Sequence, residues 1–304
     1  MLLIVGVGRS GTSLLQSMLN AHSDICFLPE TQFLRNYVIN RPSKKIENPS
    51  EKELLISALN NDDSFQRSEI DAKLLVEIGD TYADIYDKFL NTYRERKEKE
   101  LVGDKDPRII DFISGLVNLK GALKVIHIMR DPRAVVASRM KADWSKKWPF
   151  FMHIFLYRAQ FERGRSQGNA LFGQNYHELY YEELIASPRE QLDQICDFLK
   201  VPCEPEMLNF QNSARELIDK KEYQWKKETT GPLLSANADK WRKSLSKKQV
   251  YLIESVCNTI FKDHIFVRTP KHKVGFGTLI KSLLLRPAAW TFAMLYPLRG
   301  VLKK

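Results

Sequence analysis

The feature that most constrains the fold is a glycine-rich turn that joins an apolar strand to an amphipathic helix near the N-terminus. The strand is predicted at residues 2–5 (Leu-Leu-Ile-Val) and the turn at residues 6–13 (Gly-Val-Gly-Arg-Ser-Gly-Thr-Ser). The helix continues to Ala21 with its large apolar side chains on one face. A second apolar run at residues 25–28 completes a strand–helix–strand unit, for which a parallel, right-handed connection is strongly preferred. The chain is therefore expected to form an α/β fold around a central parallel sheet.

Later parts of the chain add strands, helices and one long insertion to this unit. Strands are predicted at residues 124–129 and 176–181, and an Asp-Pro pair at 131–132 is typical of a helix start. Residues 40–100 are polar and have helical spacing without strand-like runs, so we interpret them as a helical insertion over the sheet edge. With 304 residues the chain is near the upper size limit of one domain, and a single domain is predicted over residues 1–269.

Residues 270–304 are predicted to form a basic, amphipathic, helical C-terminal extension. The pattern fits either a helix packed on the domain or a segment lying in a membrane interface, and Pro287 and Pro297 are expected to break it into pieces. No run reaches the ~18 apolar residues that a membrane-spanning helix needs, and Met1 leads into the first strand without a basic, cleavable leader. We expect a cytoplasmic protein, in which packing of this extension on the domain is favoured and peripheral membrane contact is the alternative.

The charge balance predicts an anionic partner. The chain carries 47 Lys and Arg against 37 Asp and Glu, a net charge of +10. The basic residues are scattered rather than gathered in one block with interleaved aromatic side chains, which argues against nucleic acid as the partner. Small phosphorylated ligands and anionic membranes are the remaining candidates.

The glycine-rich turn has the pattern of an oxyanion site. Its glycines let the backbone curl, and the N–H groups of residues 10–13 open a helix whose positive end faces a ligand. The Lys that nucleotide triphosphatases place after the second Gly is absent, because Gly11 is followed by Thr12, and the cation of the loop is Arg9. No later apolar strand ends in an obvious Mg²⁺-binding Asp. The sequence therefore argues against ATP or GTP hydrolysis and predicts no metal.

Four charged residues are expected to converge on one edge of the sheet. Arg9 and Glu30 follow the first and second strands, and Arg130 ends a later strand. Lys105 precedes a helical segment. Because sheets of this type bind ligands at the carboxyl ends of their strands, this edge is the predicted site.

These residues carry a resemblance to the sulfotransferases that use 3′-phosphoadenosine 5′-phosphosulfate (PAPS). Four elements within about residues 2–262 match: the 5′-phosphosulfate loop at 6–15 with 21–24 and 29–31, the 3′-phosphate motif at 125–138, the Tyr-Glu-Asp-Leu element at 180–184, and the late Lys-Trp segment at 240–245. Arg9 stands where the cytosolic steroid and phenol enzymes have Lys. The chain is therefore most similar to the branch of tyrosylprotein sulfotransferases and their bacterial relatives.

The resemblance implies a P-loop type, three-layer sandwich and transfer of a sulfuryl group from PAPS to a hydroxyl or amine. It implies that Glu30 is the catalytic base, that Lys105 assists transfer, and that Arg9 neutralises charge on the departing nucleotide. A saccharide, a glycolipid, a small metabolite or a protein tyrosine would each present a suitable nucleophile to Glu30. Selectivity among them is expected from residues 40–100.

The resemblance also assigns the residues that bind the donor. The 5′-phosphate would be held by the loop, that is by Arg9, Ser10, Gly11, Thr12 and Ser13. The 3′-phosphate would be held by Arg130 and Ser138, which stand eight residues apart. Tyr181 and Lys240 are weaker candidates for contacts with adenosine and the 3′-phosphate.

Two other functions fit parts of the sequence. A metal-dependent P-loop kinase for a small molecule would need Mg²⁺ and a Lys in the loop. A non-catalytic module would use its basic surface to bind anions or a membrane. Several of these side chains also have a structural interpretation. Lys105 would form an ion pair with its Asp neighbours, Arg130 would form a salt bridge to Asp131, and Tyr181 would be a half-buried strand aromatic. The following side chains would lie in the core, the last four of them rather than in an acceptor pocket: His127, Trp144, Trp148, Phe150 and Phe151.

Overall fold

A computed structural model gives the architecture of most of the chain. It describes residues 1–119, 121–218, 230–233, 235–262, 266–270 and 273–296. One sheet of five parallel strands lies at the centre, in the order β2-β3-β1-β4-β5. The strands are β1 (Leu2–Val5), β2 (Ile25–Phe27), β3 (Leu101–Lys105), β4 (Lys124–Met129) and β5 (Tyr176–Tyr180).

Helices cover both faces of this sheet. They are α1 (Thr12–Asn20), α2 (Pro49–Asn60), α3 (Asp63–Gln66), α4 (Tyr82–Arg96), α5 (Pro132–Arg139), α6 (Phe150–Phe172), α7 (Tyr181–Ala186), α8 (Pro188–Leu199), α9 (Gln211–Leu217), α10 (Trp241–Ser244), α11 (Lys247–Val256) and α12 (Phe276–Leu295). A single π-helical turn lies at Leu34–Val38, and a 3₁₀ segment follows β3 at Pro107–Asn118.

The alternation of side chains along β1 shows how the layers are built. Leu3 and Val5 pack on one face with apolar residues of α4 and the 3₁₀ segment, whereas Leu2 and Ile4 pack on the other with α1, α8 and α9. A third cluster joins α5, α6 and α11. The predicted α/β fold with a central parallel sheet between helical layers is confirmed. The predicted helix start at residue 131 is also present, since the Asp131 side chain accepts a hydrogen bond from the Arg133 amide.

Strand β3 is the element that the hydrophobic pattern does not indicate. It lies between β2 and β1, with Gly103 opposite Leu2 and Lys105 opposite Ile4. Its sequence, Leu-Val-Gly-Asp-Lys, has only two apolar residues because its C-terminal half carries buried polar side chains. Residues 40–100 contain helices α2 to α4, as expected, and α4 packs beside β3.

Helix α12 corrects the expectation for the C-terminal extension. It runs without interruption from Phe276 to Leu295 although Pro287 lies inside it. The proline removes one hydrogen bond, to the carbonyl of Leu283, and Leu283 is exposed, so water can satisfy that carbonyl. Pro297 lies outside the described residues. Within the described ranges, no helix has the length and apolar character needed to cross a bilayer.

Candidate active site

The loop between β1 and α1 has the geometry of an oxyanion cradle. Gly11 adopts φ 101°, a left-handed conformation, and a Cβ at this position would stand 2.4 Å from Cδ2 of Tyr181. The amides of Thr12 and Ser13 lie in the first turn of α1 and so have no acceptor within the helix. The Ser10 amide donates to the Val7 carbonyl at 3.0 Å, but its buried hydroxyl has no hydrogen-bond partner among the described residues. An orphaned donor at this point fits a bound oxyanion.

Arg9 links this loop to the second phosphate motif. It adopts φ 84°, which costs a non-glycine residue about 1–2 kcal/mol. In this conformation its Nε donates to Oγ of Ser138 at 3.0 Å, and its carbonyl accepts from Nη1 of Arg130 at 3.2 Å. Three residues predicted to bind the donor therefore meet although they are far apart in the chain.

The Arg130 guanidinium lies between the loop and the late part of the chain. It stacks 4.0 Å above the ring of Tyr181, and its Nη2 donates to the Asn237 carbonyl at 2.9 Å. Its Nε is buried without a hydrogen-bond partner in the described part of the chain. Tyr181 is buried and is the first residue of α7, so the expectation of a half-buried strand aromatic is wrong. Lys240 is exposed just before α10, three residues beyond Asn237, and its contact with the donor stays a prediction.

The salt bridge considered for Arg130 and Asp131 does not form. Asp131 pairs with Arg133 instead, through contacts that include Nε to Oδ1 at 2.9 Å, and Arg133 also reaches Glu254 at 2.7 Å. The Arg133 guanidinium stacks 4.2 Å from the ring of Trp241. This buried network anchors the start of α5 and leaves Arg130 directed toward the loop.

Glu30 and Lys105 form an ion pair at the ends of β2 and β3. The side chain of Lys105 is only 1% exposed, and that of Glu30 is 18% exposed. The alternative of a surface pair between Lys105 and its Asp neighbours is wrong: Asp104 accepts from the hydroxyl of Tyr86 at 2.8 Å, and Asp106 accepts from Nε of Arg35 at 2.6 Å. The pair lies one strand from the oxyanion loop, since β3 runs beside β1.

Two parts of the site were not predicted from the sequence. Arg35, which binds Asp106, holds the segment after Glu30 against the end of β3. Beyond α5, Trp144 is 47% exposed and Trp148 is 39% exposed, so the interpretation of these side chains as core residues is wrong. Phe151 is also exposed, at 41%. The interpretation of His127 as a core residue is confirmed, because it is fully buried and bonded to the Tyr176 hydroxyl at 2.5 Å.

Two acidic groups near the site are perturbed by burial. Burial raises the pKa of Asp104 to about 6 and that of Glu182 to about 7. Glu182 accepts a hydrogen bond from the Asp131 amide at 3.0 Å and lies beside Arg130. Its charge therefore changes near neutral pH, next to the predicted 3′-phosphate position.

Glu182→Gln is expected to gain stability relative to the wild type as the pH rises from 5 to 8. Between its ordinary pKa of 4.5 and the raised value of about 7, the folded wild type binds a proton that the unfolded chain does not. Raising the pH through this window therefore costs the wild type about 1–3 kcal/mol, and the variant escapes that cost. Urea unfolding at both pH values measures the difference.

Glu183→Gln is the matched control, since this neighbouring side chain is exposed. Other groups that titrate in this range are common to all three proteins, so their contributions cancel in the difference. A difference between Glu182→Gln and the wild type that is the same at pH 5 and pH 8 would contradict the assignment.

The fold and the site together define a P-loop type α/β protein, with an oxyanion cradle, converging cations and a carboxylate at one sheet edge. The model of the sulfotransferase family matches residues 2–205, which are more than half of the chain. The chain belongs to the sulfotransferase family.

Solved structures show the same fold. The sulfotransferase domain from the curacin biosynthetic pathway superimposes with a TM-score of 0.64 at 21% identity, covering 88% of this chain and 98% of that one. The sulfotransferase domain from the Synechococcus PCC 7002 olefin synthase gives a TM-score of 0.60 at 22% identity, covering 96% and 94%.

The curated relatives are longer proteins. An uncharacterized protein of Aquifex aeolicus is 23% identical over 248 residues, which are 79% of this chain and 30% of that protein. Mouse carbohydrate sulfotransferase 1 is 24% identical over 188 residues, which are 55% of this chain and 44% of that protein. This chain thus aligns with less than half the length of either relative.

Proposed function

We propose that this sulfotransferase transfers the sulfuryl group of PAPS to a hydroxyl or amine of a small acceptor. The observation that carries the proposal is the Glu30–Lys105 ion pair, which lies one strand from the loop that holds Arg9. A carboxylate that can accept a proton, a buried ammonium and an oxyanion cradle are the three groups that in-line group transfer requires.

The donor residues support PAPS as the substrate. The Ser10 hydroxyl and Nε of Arg130 are buried donors without partners in the described ranges, and each suits one end of a molecule with two phosphate-bearing groups. Arg9, Ser138 and Arg130 already contact one another and would turn toward the phosphates when the donor binds. Tyr181 offers its ring beneath Arg130.

The chemical step needs one bond to form and one to break. The acceptor oxygen or nitrogen attacks sulfur, the bond from sulfur to the bridging oxygen of the donor breaks, and Glu30 takes the acceptor proton. The electron pair of the broken bond leaves with 3′-phosphoadenosine 5′-phosphate (PAP), where Lys105 and Arg9 offset the new negative charge. Binding both substrates side by side, in the correct orientation, further increases the rate of transfer.

The acceptor is proposed to be a saccharide, a glycolipid or a small metabolite. The name of the mouse relative, a carbohydrate sulfotransferase, agrees with the first of these. Helices α2 to α4 lie in the layer that approaches the end of β3, which makes them a source of acceptor selectivity.

Arg130→Ala is expected to weaken PAP binding by about 10- to 150-fold, the loss of a charged hydrogen-bond pair worth about 1.5–3 kcal/mol. Isothermal titration calorimetry measures the affinity. Arg165→Ala, which removes an arginine paired with Glu178 on the surface, is the control and should bind PAP like the wild type. An unchanged affinity in Arg130→Ala would place the 3′-phosphate elsewhere.

A comparison of ligands separates the proposal from the kinase and from the non-catalytic module. PAP should raise the melting temperature of the wild type at concentrations where ATP with Mg²⁺ or RNA does not. Stabilisation by ATP with Mg²⁺ alone, together with ATP turnover, would favour the kinase instead.

We further propose that α12 binds the surface of an anionic membrane. Its inner side packs on the protein: Ala289 is fully buried, and the ring centroids of Phe292 and Phe155 are 5.8 Å apart. Its outer side presents a continuous apolar stripe at helical spacing, formed by Phe276, Leu279, Ile280, Leu283, Leu284, Trp290, Met294 and Leu295. Lys281 and Arg286 flank this stripe, as in helices that lie in the interface of a bilayer with anionic lipids.

Pelleting with vesicles tests this proposal. The wild type should pellet with phosphatidylcholine vesicles that contain phosphatidylserine, and Leu283→Ser/Leu284→Ser should lose most of that binding while PAP affinity is retained. Leu54→Ser/Leu74→Ser removes two equally exposed leucines elsewhere and should pellet like the wild type. Equal pelleting of both double variants, or no pelleting of the wild type, would contradict a membrane role for α12.

A further inference from the structure

Arg139 is a buried cation that has no ion-pair partner among the described residues, beside the candidate active site. It is the last residue of α5 and directly follows Ser138. Arg139 is only 4% exposed, and its Nε has no hydrogen-bond acceptor among the described residues. No carboxylate in the described ranges forms an ion pair with its guanidinium. An unpaired buried charge is costly, so its retention here needs a reason.

The guanidinium faces the oxyanion loop. A Cβ built on Gly8 would stand 4.0 Å from Nη1 of Arg139 and 3.8 Å from Cη2 of Trp144. Both side chains thus lie close to the loop at Gly8. A group bound to the guanidinium would lie beside Arg9, which is the next residue of the loop.

Two indoles flank the Arg139 guanidinium. The guanidinium carbon lies 5.1 Å from the ring of Trp144 and 5.6 Å from that of Trp148, and the two indoles meet edge to face with centroids 6.3 Å apart. The cation is buried behind them, while the indoles are 47% and 39% exposed.

The other charged groups near Arg139 do not neutralise it. Asp111 acts on it from beyond ion-pair distance, and the Asp111 carboxylate already accepts from Gln160 at 2.7 Å and from the Tyr296 hydroxyl at 2.8 Å. Arg108 adds positive charge. His153, stacked on Trp148, has its pKa lowered to about 4 by burial, so it is neutral at pH 7.

We propose that Arg139, Trp144 and Trp148 form an acceptor subsite for an oxoanion attached to a flat apolar group, so that the acceptor is an anionic hydroxyl compound. This inference rests on the proposed sulfuryl transfer and names the acceptor class of the same site. The carboxylate, sulfate or phosphate of the acceptor pairs with the guanidinium in a bidentate manner, and its flat face packs against the exposed surface of the indoles. The apolar indoles suit an acceptor rather than the donor, because the phosphates of the donor are assigned to the loop and Arg130.

A matched pair of probes tests this subsite in the PAP-saturated protein. 4-Hydroxyphenylacetate carries a ring, a hydroxyl and a carboxylate, and 4-hydroxyphenylacetamide differs only by lacking the charge. Quenching of tryptophan fluorescence measures binding of each probe. The wild type should bind the carboxylate at least about 10-fold more tightly than the amide, and Arg139→Met should reduce this preference to within about 2-fold.

Three controls keep the outcomes distinct. PAP affinity of Arg139→Met should stay within about 2-fold of the wild type, and Arg165→Met, which removes a surface arginine, should keep the full preference. Arg139→Lys preserves the charge and should retain part of the preference if the methionine variant does not fold. No preference in the wild type, a preference that survives in Arg139→Met, or a loss of PAP affinity in step with it each overturns the subsite. A wild type that binds the carboxylate but not PAP would instead contradict the proposed function.

Discussion

Glu30→Gln is expected to lower the rate of sulfuryl transfer by about 10²- to 10⁴-fold while PAP affinity changes by less than about 2-fold. General base catalysis is worth this much, and a glutamine amide of nearly the same shape cannot take the acceptor proton. Because Glu30 forms an ion pair with Lys105 and the phosphates are assigned to the loop, Arg130 and Ser138, donor binding should survive the change. Transfer of label from radioactive PAPS to a pool of extracted acceptors measures the rate, and calorimetry measures the affinity.

Glu178→Gln is the control for this experiment. Glu178 also pairs with a cation, Arg165, but on the far edge strand and partly in solvent. It should transfer label like the wild type. Retention of more than about half of the activity by Glu30→Gln would remove Glu30 from the role of base.

Much of the fold could be predicted because the sequence signals for several of its strands and helices are local. An apolar strand followed by a glycine-rich turn gave β1 and α1, and an Asp-Pro pair after a second apolar run gave β4 and α5. Strand β3 lacked such a signal, since Gly103 makes room for the ring of Phe27 and Lys105 is kept in the interior by an ion pair. A pattern of hydrophobic residues cannot reveal a strand whose buried side chains are charged.

The candidate site was predictable as a set of residues but not as a set of contacts. Motif spacing pointed to Arg9, Arg130 and Ser138, whereas the bonds that join them span more than 120 residues of chain. Proximity over such distances follows from the order of the strands, which local sequence does not encode.

The proposed acceptor subsite is the part that the sequence pattern did not indicate. Arg139 ends a helix whose other residues are mostly buried, and the tryptophans after it resemble core residues in composition alone. Their exposure depends on the course of residues 140–149 between α5 and α6, which no spacing rule predicts. The only signal in the sequence was the proximity of an Arg and two Trp to the 3′-phosphate motif.

Lys105→Met is expected to lower the transfer rate by about 10²- to 10³-fold, because removal of one preorganised cation from the leaving-group oxygen has an effect of this size. It should also destabilise the protein by about 1–3 kcal/mol, less than the 3–5 kcal/mol of a fully buried pair, since the Glu30 left behind keeps 18% exposure. Label transfer and urea unfolding measure the two losses. Lys88→Met, which breaks a surface pair with Asp80, should show neither.

The double variant Lys105→Met/Glu30→Gln separates the two roles of the ion pair. Removing both charges leaves no uncompensated carboxylate, so stability should return most of the way to that of the wild type. Activity should not return, and its loss should be smaller than the product of the two single losses, because base and cation act in the same step. A double variant that is as unstable as Lys105→Met would show that the lysine stabilises the end of β3 by packing rather than by pairing with Glu30. Full additivity of the activity losses would show that the two side chains act in separate steps.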